Sequence, residues 1–559
     1  MKTRSSLVYL PGYPIGVKEL MPSHILAAIA GSLLDASHFT SIEDLGTLST
    51  LDRVFDGKLS ERAQHIVELT QPDRTANPLQ SLYILWQIHA ADKEFAAAMA
   101  DVAREAAERV ATTKGLHFAG LLAETPEDYV CALAVAERLR AIRPKLKLLA
   151  FGRFVNAFGE ALIARACPFD AMCVGDFEAS VLAFAEQLDA PETWPHLPDV
   201  LCKHEPPRAR RRTSEAVSLG SLPAPVYDRG AYPALRDGQK IKLFEIEDSR
   251  AAPLGGEDDG RAVRMKPVAV VCGELGRLAA SYGARLFHIR GARPPASHVS
   301  AIAHEILRRR MSVVYSREGH AESCVAATLP ALKASGCTSL TFEVNTGSQR
   351  LHDRCYGTGL TITQIEQALR DARAAGLYTI ATLTYPCPDD DYHTRAETLR
   401  LIDRTRPHAA PVTLPDWGHR ASRFRIDTRI GYAVGGMKYL DGVLRRGLRF
   451  PLLWPWWRTL PREAGEHDAA EVLSAHRDLV YDLEGLGIST SVPDEVLRLT
   501  RLSGTGRVPD DAARLRRALA GGRLDEVAAF IDDFNAAAES RQAARDRQSE
   551  KDVRAVVGK

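Results

Sequence analysis

The chain has 559 residues, 45% of them hydrophobic and 26% charged, an ordinary globular composition with enough apolar surface to exclude wholesale disorder. Lys+Arg 72 against Asp+Glu 71 leave a formal net charge of +1, which gives no electrostatic footprint for nucleic acid or an anionic membrane as partner. At roughly 100–200 residues per domain, the length calls for about three domains.

The opening MKTRSSLVYLPGYP does not read as a signal peptide, because Pro11 and Gly12 cut its apolar run at Leu10. No apolar stretch reaches the ~18 residues that span a bilayer, and the longest candidate, Ile25–Leu34, has the length of a core helix. The cysteines are Cys131, Cys167, Cys173, Cys202, Cys272, Cys324, Cys337, Cys355 and Cys387, with no Cys-x-x-Cys pair among them. That usage suits free thiols in a reducing cytoplasm, and it excludes a sequence-contiguous zinc or iron–sulfur motif.

In chain order, Ser6–Gly12 reads as a buried strand ended by a turn, Ser23–Leu34 as a helix with a Ser cap, and Phe39–Gly46 as a second strand. An insertion dense in Ala and charge follows, Asp92–Thr112. Alternation then resumes with strand Leu116–Ala123, helix Asp128–Ile142, strand Lys147–Gly152, helix Ala157–Ala166, strand Phe169–Asp176 and helix Ala179–Leu188. Repeated strand–helix units predict a doubly wound parallel sheet over 1–200, with ligands at the carboxyl ends of its strands. The stretch 201–235 is Pro-rich, contains Arg208–Arg212, and reads as a solvated linker over the surface.

A second series has strands Ile241–Asp248, Arg285–Gly291, Ser312–Glu318, Ser339–Thr346, Thr379–Pro386 and Ala409–Pro415. Helices fall between them, among them His298–Arg309, Ala326–Ser335, Gln364–Ala375 and Arg395–Arg404. Six strands at intervals of roughly 25–45 residues predict a partial (β/α) barrel over 236–420, with chemistry at the strand C-termini. The rest, 421–559, reads as a mainly helical domain with an aromatic cluster at Phe450–Trp457. Trp454, Trp456 and Trp457 suit core packing more than an aromatic pocket. The fold class is therefore α/β, a Rossmann-like domain followed by a barrel and a helical C-terminal domain.

The order of these parts resembles the cobalamin-binding radical S-adenosylmethionine (SAM) family. The residues that carry the likeness are LVYLPGYP near the start, Gly115–Thr125, Lys147–Phe154 and Phe169–Leu188 in the first sheet, then Ser218–Asp228 in the linker and Ala334–Gly357 in the barrel. Gly175-Asp176-Phe177-Glu178 stands where the family has Gly-Glu-Gly-Glu. Asn345-Thr346-Gly347-Ser348, with Glu343 just before it, stands at the family's fourth-strand Glu-Ser-Gly-Ser. The resemblance covers about residues 6–415. It implies a cobalamin-binding first domain, with Gly12, Tyr13, Glu124, Thr125, Gly152, Arg153, Phe154, Gly175, Asp176 and Glu178 at the cofactor. It also implies that Glu343 and Ser348 hold the polar groups of a donor such as SAM. B12 proteins that ligate cobalt through a lower histidine carry Asp-x-His-x-x-Gly, which is missing here, and the resemblance likewise implies cobalamin held without histidine ligation. The nearest string, Asp35-Ala-Ser-His38, has the wrong spacing, so His38 reads as a surface histidine and cobalamin is expected without a protein imidazole on cobalt.

One departure is sharp. The family places Cys-x3-Cys-x2-Cys after the first barrel strand. Here the frame Ser249-Arg250-x-x-Pro253 is kept, but the three positions are Ala252, Gly256 and Asp259. A [4Fe–4S] cluster needs thiolates, so no cluster and no metal at this site are expected. The loop Ala251–Gly260 is expected to fold over the former cluster site, with Arg250 or a neighbouring Arg pairing its carboxylates. Glu257, Asp258 and Asp259 read as a solvated loop before a cation site. Arg250, Arg290, Arg317 and Glu343 fall near strand C-termini, either to grip a carboxylate or to form a closed ion-pair network. Cys387 reads as a buried free thiol before a reactive one.

The resemblance implies a cobalamin-dependent methyltransferase or related transferase of natural-product biosynthesis, acting on a small-molecule substrate without a cluster. Two alternatives stand beside it. One is a non-catalytic cobalamin-binding paralogue that pairs with an active enzyme. The other is a cluster held by other cysteines, for which Cys272, Cys324 and Cys337 lie too far from the first loop.

Overall fold

The computed structural model describes residues 2–12, 15–69, 78–203, 217–236, 238–251, 263–356, 358–387, 389–414, 432–434, 440–442, 444–445, 447–448, 457–459, 469–504 and 507–538. Its first sheet is built from β1 (Arg4–Tyr9), β2 (Phe39–Asp44), β3 (Phe118–Leu122), β4 (Lys147–Phe151), β5 (Ala171–Cys173) and β6 (Val200–Cys202), in the order β2-β1-β3-β4-β5-β6. The first five run parallel, and β6 closes the edge antiparallel to β5. All five residues of β3 are buried, as expected of a parallel strand covered on both faces. The linking helices α1 (His24–Asp35), α5 (Pro126–Ile142), α6 (Arg153–Ile163) and α7 (Phe177–Glu186) follow the expected strand–helix alternation. Ser23 caps α1 by accepting the Leu26 N–H, and Thr125 opens α5 in a capping box with Asp128.

Between β2 and β3 the insertion folds as α2 (Leu48–Val54), α3 (Gly57–Leu69) and α4 (Pro78–Thr112). At 35 residues, α4 is about 50 Å long at ~1.5 Å per residue. Its C-terminal half buries Phe95, Met99, Val102 and Ala106 in the core shared with α5.

The stretch expected as a solvated linker is not one where it is described. Tyr227 and Tyr232 are fully buried, Val226 N–H donates to the Ala27 carbonyl, and Ile42 N–H donates to that of Ala231. Two aromatic rings give this segment the apolar area that a Pro-rich reading overlooked. The tie continues at Lys240, whose ammonium lies 2.7 Å from the Asp44 carboxylate, to which Tyr232 also donates. Arg208–Arg212 lie outside the described residues.

The second sheet comprises β7 (Phe244–Glu247), β10 (Leu286–Arg290), β11 (Val314–Gly319), β12 (Cys337–Asn345), β13 (Tyr378–Thr384) and β14 (Val412–Thr413), all parallel in the order β14-β13-β12-β11-β10-β7. It is the expected open six-stranded partial barrel. A hairpin of β8 (Ser249–Ala251) and β9 (Val263–Met265) follows β7. The helices are α8 (Val268–Tyr282), α9 (Ala296–Arg308), α10 (Leu329–Ala334), α11 (Gln349–Leu351), α12 (Ile362–Ala374) and α13 (Tyr392–Thr405).

The C-terminal part contributes α14 (Ala469–Gly485), α15 (Asp494–Ser503), α16 (Val508–Ala520) and a small pair of strands, β15 (Tyr432–Val434) with β16 (Trp457–Thr459). Trp457 lies in β16, while Trp454 and Trp456 fall outside the described residues. α15 packs across β11, β12 and β13, and its Val496 and Leu497 share a core with Leu286 and Ile380 of the barrel. No helix among the described residues is long and apolar enough to cross a membrane.

Candidate functional site

The C-terminal ends of the two sheets come together in space, and the contact is made by charge. Asp176 stands at the N-cap position of α7, yet its carboxylate caps nothing there. It accepts from Arg264 instead, Nη1 to Oδ2 at 2.7 Å and Nη2 to Oδ1 at 2.9 Å, and from Arg250 Nη1 at 3.0 Å. Glu178, in the first turn of α7, takes Arg250 as a fork, with Nη2 to Oε1 at 2.8 Å and Nη1 to Oε2 at 3.1 Å. Glu247, the last residue of β7, accepts Arg250 Nε at 3.0 Å. The side chains of Asp176, Glu178 and Glu247 are 2%, 8% and 9% exposed. Bidentate guanidinium–carboxylate pairs are the strong class of hydrogen bond, and here two arginines serve three carboxylates.

Electrostatics follow from that geometry. Burial pushes the Asp176 carboxyl up, but Arg264 and then Arg250 outweigh it and hold the group below the usual carboxylate range. Burial likewise opposes ionisation of Glu247, and Arg250 brings it down to about 2. Both acids are ionised at neutral pH.

Arg250 and Arg264 face each other across the hairpin, in the register Ser249↔Met265, Arg250↔Arg264, Ala251↔Val263. The hairpin is anchored at its base by Asp248, which accepts from Ser249 Oγ and from the buried Arg317. Ala252, Gly256, Asp259 and the expected closure of their loop lie outside the described residues. What the structure gives is the pairing of Ala251 with Val263, which brings the two ends of that loop together. The carboxylates that Arg250 meets are those of Asp176, Glu178 and Glu247.

The other residues expected at the cofactor lie on the rim of the first sheet, and each has a partner in the protein. Gly12 N–H donates to Asp128 Oδ1 at 2.8 Å, and a Cβ on Gly12 would sit 2.3 Å from that of Glu127. Glu124 accepts the Arg153 N–H and pairs with its Nε, both at 3.1 Å. Thr125 caps α5. Gly152 has φ +122°, and a Cβ there would meet the Ala123 carbonyl oxygen at 2.2 Å. Gly175 has φ +72° and donates to Asn156 Oδ1 at 2.9 Å. Phe154 is buried, its ring 5.5 Å from Tyr129 and 5.0 Å from Phe158. Tyr13 lies outside the described residues. His38 is a correction. It is buried rather than on the surface, and its Nδ1 bonds the N–H and hydroxyl of Thr3 at 3.1 and 2.8 Å. It closes the turn into β2, at the end of the sheet opposite the rim.

Inside the barrel, register stacks the inward side chains in levels. Glu245, His288, Ser316, Ser339 and Tyr378 form one level. Above it, Glu247 stands beside Arg290, and Glu318 beside Thr341 and Ile380. His288 Nδ1 meets Ser316 Oγ at 2.9 Å, while Arg498 of α15 reaches the other ring nitrogen. Burial, and then Arg498, push the imidazole well below its ordinary value, so it is neutral. Arg290 lies 3.5 Å from Glu245. Glu343 is exposed on the inner face and accepts Asn345 Nδ2 at 3.2 Å. Ser348 is buried, its N–H donating to Thr346 Oγ1 at 3.2 Å. Cys387 is buried, with its sulfur at the Tyr356 hydroxyl. Among the described residues, no group of three or more His, Cys, Asp or Glu side chains is placed to hold a metal ion.

Arg264, Glu247, His288 and Arg498 escaped the sequence reading. Arg264 had one available signal. It follows the open-ended Ser-Arg frame at a distance that a hairpin can span, but pairing across an unassigned loop has no local mark.

No family model matches the chain and no curated protein matches it. Solved structures do. The α/β architecture matches that of solved cobalamin-dependent radical SAM enzymes. The particular likeness is to the radical SAM methyltransferase TsrM from Kitasatospora setae. The structure with cobalamin and a [4Fe–4S] cluster is matched at TM-score 0.60 and 13% identity, over 96% of this chain and 100% of that one. The structure with tryptophan and a SAM analogue is matched at TM-score 0.55 and 13% identity, over 99% and 100%. The cobalamin-dependent SAM radical enzyme OxsB with aqua-cobalamin gives TM-score 0.52 at 12% identity, over 94% of this chain and 72% of that one. At such identities the likeness is one of fold.

Proposed function

We propose that this chain binds cobalamin on the rim of its first sheet and transfers a methyl group to a small-molecule substrate without an iron–sulfur cluster. The observation that carries the second half is the donor set. Ala252 and Gly256 offer no ligand atom, and Asp259 offers only a hard oxygen, whereas the cluster requires thiolates. Cys272 in α8, Cys324 after β11 and Cys337 in β12 are buried and form no ligand group with other residues among those described. The residues present do not fit a [4Fe–4S] cluster, and no step is drawn through one.

For cobalamin the rim fits in its chemistry. The described residues 9–12, 122–125, 151–154 and 173–178 include no histidine, and their one cysteine, Cys173, is buried in β5, so this rim would offer cobalt no protein imidazole. The backbone at Gly12, Gly152 and Gly175 and the half-exposed Arg153 would hold the group, which when bound supplies a carrier that passes methyl as a cation. The chain's own part is to present substrate from the barrel. Glu343 and Ser348 would hold polar groups of a donor, and the hairpin arginines pair with Asp176, Glu178 and Glu247.

A second reading, a non-catalytic cobalamin-binding partner of an active enzyme, is favoured by one observation: on the proposed cofactor rim Asp176 is already paired with Arg250 and Arg264, and Glu178 with Arg250. Anaerobic reconstitution separates the cases. Base-off cob(II)alamin in electron paramagnetic resonance, with iron and sulfide near zero, supports the proposal. Nitrogen splitting from an axial base, or about four iron per chain, rejects it. Binding without methyl transfer selects the second reading.

A further inference from the structure

We propose that Arg250 and Arg264 form an electrostatic latch that fixes the rim of the first sheet against the mouth of the barrel. The latch sets the gap between the two strand edges whether or not a cofactor is bound. The inference goes beyond the proposed activity and stands on contacts within the chain.

Three observations converge on it. The first is that the network joins elements far apart in sequence. Asp176 and Glu178 belong to the turn after β5 and the start of α7, whereas Glu247, Arg250 and Arg264 belong to β7 and the hairpin beyond it. The second is saturation. Asp176 receives three guanidinium hydrogen bonds and Glu178 two, and Arg264 adds the carbonyls of Val217 at 2.8 Å and Ala251 at 3.1 Å. Arg264 thereby touches the first domain, the connecting segment and its own hairpin. The third is burial. The carboxylates are under a tenth exposed, and the guanidiniums of Arg250 and Arg264 are 21% and 15% exposed. Pairs so placed are little screened by salt, and loss of one partner leaves a buried charge uncompensated.

A rigid pair of arginines is suited to this task. The guanidinium fork fixes both distance and orientation to a carboxylate, which an ammonium does not. The hairpin pairing holds the two forks side by side, so Asp176 is gripped from two directions. A tie confined to the hairpin would need no acid from the first domain, yet five of the eight guanidinium–carboxylate hydrogen bonds of the network go to Asp176 and Glu178 of that domain.

The test is native-state hydrogen exchange of the full chain without cobalamin, so its outcome is independent of whether the chain binds that group. The variants are Arg264→Gln, Asp176→Asn and the double substitution. Two regions are read, 174–180 in the first domain and 249–251 with 263–265 in the hairpin. Each single substitution is expected to speed exchange in both regions about tenfold or more, and the double substitution to add little, because the groups act as one network. Small-angle scattering should show a larger radius of gyration for each variant. If Arg264→Gln does not fold, Arg264→Lys keeps the charge while losing the fork, and its rates should fall between the parent's and those of Asp176→Asn. Faster exchange confined to the hairpin, effects that simply add, or no change in either region would overturn the latch.

Discussion

On the rim of the first sheet, turns are held by backbone geometry: Gly152 tucked against the Ala123 carbonyl, Thr125 capping α5, Gly12 and Thr125 N–H groups meeting the Asp128 carboxylate. On the rim of the barrel, Arg250, Arg264, Arg290 and Arg317 each face an acid, and the segments are held by paired charge. The contrast follows from what each sheet must do. A doubly wound sheet covered by helices on both faces has apolar strands, and only its turns carry polar groups. A partial barrel has an inward face too open for apolar filling, and the polar side chains there must satisfy one another.

The largest expected effect tests the charged side. Arg250→Ala leaves Asp176 one donor fewer and strips Glu178 and Glu247 of their buried counter-charge, at an expected cost of about 3–5 kcal/mol in urea unfolding. Replacing Arg250, Glu178 and Glu247 together by apolar residues of similar volume, with Asp176 left to Arg264, should recover most of that loss. A loss below about 1 kcal/mol for Arg250→Ala, the range of exposed pairs, would mean that charge does not hold this rim.

The next effect tests the backbone side. Gly152→Ala places a Cβ 2.2 Å from the Ala123 oxygen at φ +122°, so both strain and collision oppose it. The expected cost is about 2–3 kcal/mol, with little dependence on salt or pH. A cost that changes strongly with pH between 3 and 8 would show that charge, and not backbone geometry, governs this turn.

Acid titration sharpens the contrast further. Glu247 has its folded value depressed from 4.5 to about 2, and Asp176 is depressed too. A depressed carboxyl contributes stability above its unfolded value that is lost as pH falls through the folded one. The parent should therefore lose stability between about pH 4.5 and 2, and Glu247→Gln should flatten that slope by up to one proton. An unchanged slope in the variant would remove Glu247 from the network.

Much of this architecture was legible in the sequence because its signals are local. Short apolar runs ended by Gly or Pro marked β1 and β4, and the Ser23 cap marked the start of α1. The fourth barrel strand was visible from Ser339 onward, where buried Leu340, Phe342 and Val344 alternate with inward polar residues. What stayed hidden depends on pairing between distant segments. The edge strand β6 is three residues long and runs antiparallel, so no periodicity announced it. His38 looked exposed because its partner, Thr3, lies 35 positions away. Asp176 read as a cofactor residue, and nothing in its neighbours pointed to Arg264, 88 positions on.

The smallest effect returns to the backbone side. Thr125 accepts the Asp128 N–H through its hydroxyl at 3.1 Å, and Asp128 Oδ2 accepts the Thr125 N–H at 3.0 Å. Thr125→Ala removes one half of that box. The Asp128 carboxylate keeps its bonds from the backbone N–H groups of Gly12, Glu124 and residue 125, so the turn retains three ties and the helix end is only partly unsatisfied. The expected cost is about 1 kcal/mol, less than for Gly152→Ala and far less than for Arg250→Ala. The order matters more than any single value, since it says that the first rim spreads its stability over many small backbone contacts while the second concentrates it in two guanidiniums. Chemical denaturation of the three variants side by side measures that order. A Thr125→Ala loss equal to that of Arg250→Ala would erase the distinction between the rims.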